Sequence, residues 1–186
     1  DSVADYLIFN MKKNGAYEVK DPAVISQLVE LVTKEGKSPK TEFVGKSAKY
    51  ILDKIGITVG DDVKVILMEA KEDHPFVQVE LMMPILPVVR VPDVDQAIEM
   101  AVRVEHGNRH TASIFSKDVD HMTRFARVIE TTIYVKNSAT KAGVGIGGEG
   151  HCTMTIAGPT GEGITCAKSF CRRRRCMLAE GGLRII

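Results

Sequence analysis

Several features that would point to a specialised class of protein are scarce in this chain. Its 186 residues include 25 lysines and arginines against 24 aspartates and glutamates, so the formal net charge is only +1. A charge this small excludes a field over the whole molecule that would attract nucleic acid or an anionic membrane. Long apolar runs are also missing, because those present are short and interrupted by proline, so no membrane-spanning helix is predicted.

Cysteine is confined to the last fifth of the chain, at Cys152, Cys166, Cys171 and Cys176. No two of these cysteines have C-x-x-C spacing. This pattern predicts reduced thiols and neither a disulfide framework nor a metal cluster. The start of the chain, DSVADYLIFNMKKNG, lacks the basic, then apolar, then small-residue order of a secretion signal. We therefore expect a cytoplasmic protein with no bound metal.

The composition that remains, 44% hydrophobic and 26% charged, is that of an ordinary globular domain. Over residues 1–60 the apolar spacing predicts amphipathic helices. The first ends near Gly15, the second spans Ala23–Lys34 after the capping pair Asp21-Pro22, and a third covers residues 43–55.

From residue 61 to residue 137 the pattern changes to short β-branched runs, VKVILMEA, PILPVVRV, TASIFS and TTIYVKN. Helical patterns at Val94–Val104 and Val119–Ile129 separate them, each preceded by a capping aspartate, Asp93 or Asp118. Alternating strands and helices predict an α/β fold with a parallel sheet and crossover helices. Residues 138–186 are expected to form a glycine-rich tail with antiparallel or edge strands.

One charged residue stands within the apolar run VELMMPILPVVRV at residues 79–91. Its motif, E-L-M-M-P-I, resembles the E-x-F-G-P-x motif of the aldehyde dehydrogenase superfamily, whose glutamate holds the ribose hydroxyls on the nicotinamide side of NAD. Glu80 and Pro84 match that motif, whereas Met82 and Met83 replace its aromatic residue and its glycine. The resemblance implies that Glu80, Met82 and Pro84 bind the cofactor.

The presence of Met82 and Met83 is informative, because the resulting motif E-x-M-x-P-I-L-P is similar to that of the CoA-acylating aldehyde dehydrogenases of ethanolamine and propanediol utilisation. The E-H-G-x-x-H-T-A-x-I segment of those enzymes is matched at residues 105–114, and the tail GIGGEGHCTMTIAGPTGEGIT with FCRRRRC also resembles them. The resemblance covers essentially the whole chain. It implies a reaction of a small aldehyde such as acetaldehyde or propionaldehyde with NAD and CoA to give acyl-CoA and NADH. It also implies a homo-oligomer, located in the cytoplasm or in a bacterial microcompartment.

The nucleophilic cysteine of that family lies in a P-C-I-A-E-K segment, which this chain does not contain. We therefore expect the 186 residues to represent part of a catalytic domain, without the nucleophile and the dinucleotide-binding domain, and to be inactive alone. A non-catalytic structural or oligomerisation module, built on the tail strands, remains the alternative.

The candidate site residues each have a second interpretation. Glu80 is either a ribose ligand or the solvated end of a strand. Gly107 places His106 and His110 in a loop that enters a strand, so a metal pair on a helix is not predicted. The resemblance puts His110 and Thr111 near the reacting thioester, and a structural histidine that bonds the backbone is the alternative.

Three further features lie near the end of the chain, namely a glycine motif, a cysteine and a run of arginines. Residues 143–148, GVGIGG, match G-x-G-x-x-G, but a strand and not a helix is predicted to follow, so a loop lining the acyl or CoA pocket is favoured over a pyrophosphate site. Cys152 is disfavoured as a nucleophile because adjacent His151 would point to the opposite face of a strand. Arg172 and Arg174, within RRRR, belong to a solvated tail, a subunit contact or a grip on the phosphates of CoA. Nucleic acid is disfavoured because the patch is short.

Overall fold

The computed structural model describes residues 2–148, 152, 167–172 and 174–175. The chain divides into two compact units, unit 1 at Asp1–Val104 and unit 2 at Glu105–Ile186. Among the described residues there is no helix whose length and hydrophobicity would let it cross a membrane.

Unit 1 contains a three-stranded parallel sheet, a short antiparallel hairpin and five helices within its described part. In chain order the elements are α1 (Ser2–Lys13), β1 (Ala16–Glu18), α2 (Pro22–Val32), β2 (Thr33–Lys34), β3 (Ser38–Pro39), α3 (Ala48–Asp53), β4 (Val65–Glu69), α4 (Pro75–Gln78), β5 (Ile85–Val88) and α5 (Val94–Val104), with a 3-10 turn at Thr41–Phe43. The parallel sheet has the order β1-β4-β5, and β2 pairs with β3.

The central strand β4 forms the middle of the hydrophobic core of unit 1. Its Ile66, Leu67 and Met68 are fully buried, as expected for a strand of a parallel sheet that is covered on both faces. Side chains from α2, α3, α4 and the loop before β5 complete the core, including Leu28, Val32, Ile51, Leu52, Phe76 and Leu81. The strands are therefore held at fixed positions, and the loops at their ends start from a rigid base.

The described part of unit 2 contains two parallel strands joined by a helix. Its elements are β6 (Thr111–Ile114), α6 (Val119–Ile129) and β7 (Ile133–Lys136), with 3-10 turns at Thr140–Val144 and Ala167–Phe170. The carboxylate of Asp118 accepts a hydrogen bond from the His121 N–H and caps α6. On the sheet side of α6, Phe125 packs edge-on against Tyr134, with ring centroids 5.6 Å apart.

The predicted α/β class with a parallel sheet is confirmed, and α5 and α6 have the predicted bounds. Helices are present over residues 1–60, but this region also contains β1 and the hairpin of β2 with β3, which the sequence did not predict. The second helix ends at Val32, two residues before the predicted end, because Thr33 is extended and its hydroxyl donates to the Val29 carbonyl at 2.6 Å. The third predicted helix is split into the 3-10 turn at Thr41–Phe43 and the short α3.

Candidate functional site

The segment that carries Glu80 lies between α4 and β5, at the edge of the sheet where its parallel strands begin. Glu80 itself is exposed, so its apolar neighbours in the sequence do not bury it. Within the described part of the chain, its carboxylate has no hydrogen-bond or ion-pair partner. A carboxylate in this state accepts hydrogen bonds from any hydroxyl donor that approaches.

The backbone on both sides of Glu80 is anchored. On its amino side, the Val79 N–H donates to the Pro75 carbonyl at 2.9 Å and ends α4. On its carboxyl side, Leu81 is buried in the core of unit 1. Glu80 is thus the exposed residue of a short segment whose two neighbours are fixed by a helix end and by core packing.

The next residues complete this anchoring through contacts with other parts of unit 1. The Met82 carbonyl accepts a hydrogen bond from the Gly45 N–H at 3.1 Å, and the Pro84 carbonyl accepts one from the Ile66 N–H of β4 at 2.8 Å. Met82 has a positive φ of 53° and a side chain that is 59% exposed. This left-handed conformation is uncommon for residues other than glycine. It turns the chain from the Glu80 loop into β5.

A cavity of about 530 Å³ opens at the same edge of the sheet. Its walls come from the loop before α3, from the residues before β4 and from the Glu80 segment, and they include Gly45, Lys46, Ser47, Lys64 and Met82–Pro84. Two of the three motif residues assigned to the cofactor, Met82 and Pro84, therefore face a space large enough for part of a nucleotide. Glu80 is not among the residues that line it.

His74 fixes the start of the helix that leads into Glu80. Its Nδ1 accepts a hydrogen bond from the Phe76 N–H at 3.1 Å, and its ring packs edge-on against Phe76. Burial lowers the pKa of His74, and the nearby Asp73 carboxylate opposes this effect in part. The neutral imidazole is the form that can accept this bond, so the capping of α4 depends on His74 remaining unprotonated.

In unit 2, His110 is the last residue of a loop and Thr111 is the first residue of β6, so the predicted loop that enters a strand is present. The His110 Nδ1 and the Thr111 Oγ1 are 2.6 Å apart, and the His110 N–H donates to the Glu105 carboxylate at 3.3 Å. The His110 ring is exposed. The pair thus presents a hydroxyl and an imidazole nitrogen that are already joined by one hydrogen bond.

The loop around His110 is held by pairing with the residues before β7. The Thr132 N–H donates to the Arg109 carbonyl at 2.9 Å, and the Ile133 N–H donates to the His110 carbonyl at 3.0 Å. The Arg109 guanidinium also pairs with the exposed Glu130 carboxylate at 2.8 Å. The His110 backbone is therefore an extension of the ladder between β6 and β7.

The glycine-rich motif at residues 143–148 starts inside a 3-10 turn and packs on β7. A Cβ atom added to Gly143 would lie 2.1 Å from the Ile133 Cγ2, so glycine is required there for close packing. Gly145 and Gly147 have positive φ values of 94° and 79°. These observations give the first glycine a structural role, and the strand predicted after the motif lies outside the described residues.

The remaining candidates are exposed where the structure describes them. Arg172, Arg174, Cys152 and Cys171 all lie at the surface, and Cys166 and Cys176 lie outside the described residues. Across the part of the chain that the structure describes, no three His, Cys, Asp or Glu side chains cluster in a way that could hold a metal ion.

Two residues with contacts to the Glu80 segment or its helix were not identified from the sequence. Gly45 lies in the loop before α3 and Met82 in the segment before β5, so the two residues are distant in the sequence and only folding brings them together. His74 carried a weak signal, because the order His-Pro-Phe matches a capping residue followed by proline at the first helical position.

Comparisons with known proteins agree with the predicted resemblance. The family model described as "Aldehyde dehydrogenase family" matches residues 63–160. Acetaldehyde dehydrogenase (acetylating) EutE of Salmonella typhimurium is 43% identical over 186 residues, covering 97% of this chain and 39% of that protein. The chain therefore spans well under half the length of this curated relative.

Solved structures give the same result. The propionaldehyde dehydrogenase of Rhodopseudomonas palustris, solved with bound CoA and an acylated cysteine, superposes with a TM-score of 0.90 and 61% identity over 95% of this chain and 40% of that one. A propionaldehyde dehydrogenase from the Clostridium phytofermentans fucose utilisation bacterial microcompartment has a TM-score of 0.87 and 44% identity, over 96% of this chain and 41% of that one. The chain belongs to the aldehyde dehydrogenase family.

Proposed function

We propose that this chain supplies the nicotinamide-ribose carboxylate, Glu80, and one wall of the acyl-CoA pocket to an NAD-dependent, CoA-acylating aldehyde dehydrogenase. The overall reaction is aldehyde, NAD⁺ and CoA to acyl-CoA, NADH and a proton. The relatives that support this proposal include the acetylating EutE protein and the CoA-bound propionaldehyde dehydrogenase of R. palustris. The substrate class is a short aldehyde.

The observation that carries the proposal is the state of Glu80. Its carboxylate is exposed, has no partner among the described residues and stands on a backbone fixed by the end of α4 and by buried Leu81. The two ribose hydroxyls of a nicotinamide nucleotide are donors that match an ionised carboxylate. The residues present therefore fit the group that the motif implies.

NAD supplies the hydride acceptor, and CoA supplies the thiol that receives the acyl group. The contribution of Glu80 is to orient the ribose and thereby the nicotinamide face, because accurate placement of reacting groups lowers the barrier without acid-base chemistry. Met82 and Pro84 form the adjoining wall. Since the backbone of Glu80 is already fixed, little further ordering of the protein is required when the ribose binds.

His110 and Thr111 are proposed to act near the thioester. The bond between the His110 Nδ1 and the Thr111 Oγ1 fixes the imidazole orientation and leaves Nε2 for a second partner. A neutral imidazole can accept a proton from a thiol or donate one to it. In this proposal His110 holds the thiol of CoA, while Arg172 and Arg174 offer charges for its phosphates.

We also propose that the protein works as a homo-oligomer in the cytoplasm or within a bacterial microcompartment. Support for the second location comes from the microcompartment propionaldehyde dehydrogenase of C. phytofermentans. The alternative of a non-catalytic oligomerisation module was based on tail strands that lie outside the described residues, so no observation favours it.

The proposal is tested in a chimera in which this chain replaces the aligned segment of the R. palustris enzyme, whose identity of 61% makes the exchange conservative. Glu80→Gln should raise the KM for NAD about 10- to 100-fold, since hydrogen bonds to a charged acceptor contribute about 1.5–3 kcal/mol. The KM for CoA should stay unchanged. Initial rates of NADH formation with propionaldehyde provide both constants.

The matched control is Glu30→Gln, which removes an exposed carboxylate on α2 that does not line the cavity beside the Glu80 segment. It should leave both constants unchanged. A chimera without activity, or a Glu80→Gln variant with the parent KM for NAD, would refute the proposal. The unmodified chain, assayed alone, should form no NADH.

A further inference from the structure

A contact between Gly45 and Met82 links the Glu80 segment to a loop that no sequence motif connects to it. The Gly45 N–H donates to the Met82 carbonyl at 3.1 Å. Gly45 follows the 3-10 turn at Thr41–Phe43, and Phe43 is buried in the core. The donor is therefore attached to a rigid part of unit 1.

Both residues in this contact have left-handed backbones. Gly45 has a φ of 72° and Met82 has a φ of 53°. For methionine this conformation is unfavourable, and a strained backbone persists only where the surrounding structure determines it. The side chain of Met82 is largely exposed, so packing of that side chain does not hold the conformation. The hydrogen bond from Gly45 holds the Met82 backbone, together with buried Leu81 on its amino side and the bond from Ile66 to Pro84 on its carboxyl side.

We infer that Gly45 is a positioning residue for Glu80. By holding the Met82 carbonyl, it fixes the turn that begins two residues after Glu80 and so sets the direction of the carboxylate. The inference rests on the proposed role of Glu80 in binding the nicotinamide ribose. Gly45 also lines the cavity beside the Glu80 segment, so a readout that needs no cofactor is required to separate its effect on Met82 from a side chain placed in that cavity.

The surroundings of Gly45 make the inference testable. No heavy atom lies within 4 Å of a Cβ atom built on Gly45, so a side chain there meets open space. A substitution therefore meets no protein atom, and within unit 1 it acts through the strain that it places on the backbone. A β-branched residue disfavours the left-handed conformation strongly, whereas asparagine tolerates it, and both residues keep the backbone N–H.

Unit 1 offers a matched control at Gly56. Gly56 has a φ of 79° and also no heavy atom within 4 Å of an added Cβ. Its N–H donates at 3.2 Å to the carbonyl of Asp53, the last residue of α3, and it does not line the cavity beside the Glu80 segment. Gly56→Val therefore imposes the same kind of backbone strain without acting on the Glu80 segment.

The variants Gly45→Val, Gly45→Asn and Gly56→Val are compared in the same chimera. Gly45→Val should raise the KM for NAD roughly tenfold and leave the KM for CoA unchanged, because a small displacement of an orienting group weakens its ligand contacts. Gly45→Asn should restore most of the affinity, and Gly56→Val should match the parent. Thermal melting establishes that each variant is folded, and Gly45→Ala replaces Gly45→Val if that variant does not fold.

A second readout does not depend on the role of Glu80. Amide hydrogen exchange in this chain should become faster at Leu81, Met82 and Met83 in Gly45→Val, and stay unchanged there in Gly56→Val. Equal exchange at these amides, or equal KM values for NAD in the two valine variants, would overturn the inference. If Glu80→Gln leaves the KM for NAD unchanged, the proposed function fails independently, whatever the exchange shows.

Discussion

The two units hold their candidate site residues by different means. In unit 1, the Glu80 segment rests on a core that includes fully buried Ile66 and Met68, and Leu81 extends that core directly beneath the segment. In unit 2, the buried side chains among the described residues are fewer, namely Phe125, Ile129, Ile133 and Val135. The His110 loop is fixed there mainly by backbone hydrogen bonds and by the exposed pair of Arg109 with Glu130.

This difference indicates how each site responds to disturbance. A loop anchored by core packing keeps its geometry until the core itself is damaged, because interiors are close-packed and tolerate little change. A loop anchored by surface hydrogen bonds opens locally at a smaller cost in free energy. In the proposed function, the orienting carboxylate Glu80 has the first kind of anchor, and His110, proposed to contact CoA, has the second.

The largest effect is expected from Leu81→Ala, which removes the core anchor of the Glu80 segment. Deleting a buried leucine side chain lowers the free energy of unfolding by about 2–5 kcal/mol, through lost burial and the cavity left behind. The KM for NAD of the chimera should rise as well. Chemical denaturation and initial rates measure the two effects.

The control for this variant is Leu86→Ala on β5, where the side chain is 39% exposed, compared with 6% for Leu81. Leu86→Ala should lower the free energy of unfolding by less than half as much as Leu81→Ala, and it should leave the KM for NAD unaltered. Equal losses in the two variants would show that Leu81 has no special relation to the site.

A smaller effect is expected in unit 2 at Asn137, which joins the carboxyl ends of β6 and β7. Its side chain accepts from the Ser116 N–H and donates to the Ser116 carbonyl, both at 2.8 Å, and its own φ is 55°. Asn137→Ala loses two hydrogen bonds and the residue type that tolerates this φ, at a cost of about 1–2 kcal/mol. Amide exchange along β6 and β7 should accelerate.

Asn137→Gly separates the two causes. Glycine keeps the left-handed conformation accessible but makes neither side-chain bond, so its exchange rates should lie between those of the parent and Asn137→Ala. If both variants exchange at the parent rate, the bonds to Ser116 do not stabilise this unit.

The smallest effect is a pH dependence that originates at His74. Because burial lowers the pKa of His74 in the folded state, folding disfavours its protonation. The stability that the neutral ring contributes is therefore fully present above the ordinary pKa of histidine and is lost as the pH falls through that value towards the folded pKa. Unit 1 should become less stable between neutral and mildly acidic pH.

Replacing the imidazole with a group that does not titrate provides the test. In His74→Asn, the amide oxygen can cap α4 in place of Nδ1 without gaining a proton. Thermal melting at a series of pH values should show a steeper loss for the parent than for this variant. Parallel curves would mean that another group causes the dependence.

The sequence was sufficient for the elements with strong periodicity. The bounds of α5 and α6 were predicted because each has a clear amphipathic stripe and a preceding aspartate. β1 was missed because three residues are too few for alternation to be visible, and its identity as a strand depends on pairing with β4. The family was also predictable, because Glu80 and Pro84 preserve a recognisable motif.

The geometry of the site was much less predictable. The apolar residues on both sides of Glu80 in the sequence suggested a charge within apolar surroundings. In the structure Glu80 is exposed, Leu81 is buried in the core, and the chain makes a left-handed turn at Met82. The bond from Gly45 depends on how two distant loops meet at the edge of the sheet. Such contacts arise from tertiary packing, so neither the order of the residues nor their spacing reveals them.

The exposure of Met82 has a chemical consequence for the protein. Oxidants convert a methionine thioether to the polar sulfoxide, and accessible methionines react before buried ones. Met82 is 59% exposed, whereas Met68 in β4 is fully buried, so peroxide would modify the wall of the proposed cofactor site while leaving the core intact. A preparation aged in air would thus lose cofactor affinity without any loss of fold, and enzymatic reduction of the sulfoxide would restore it.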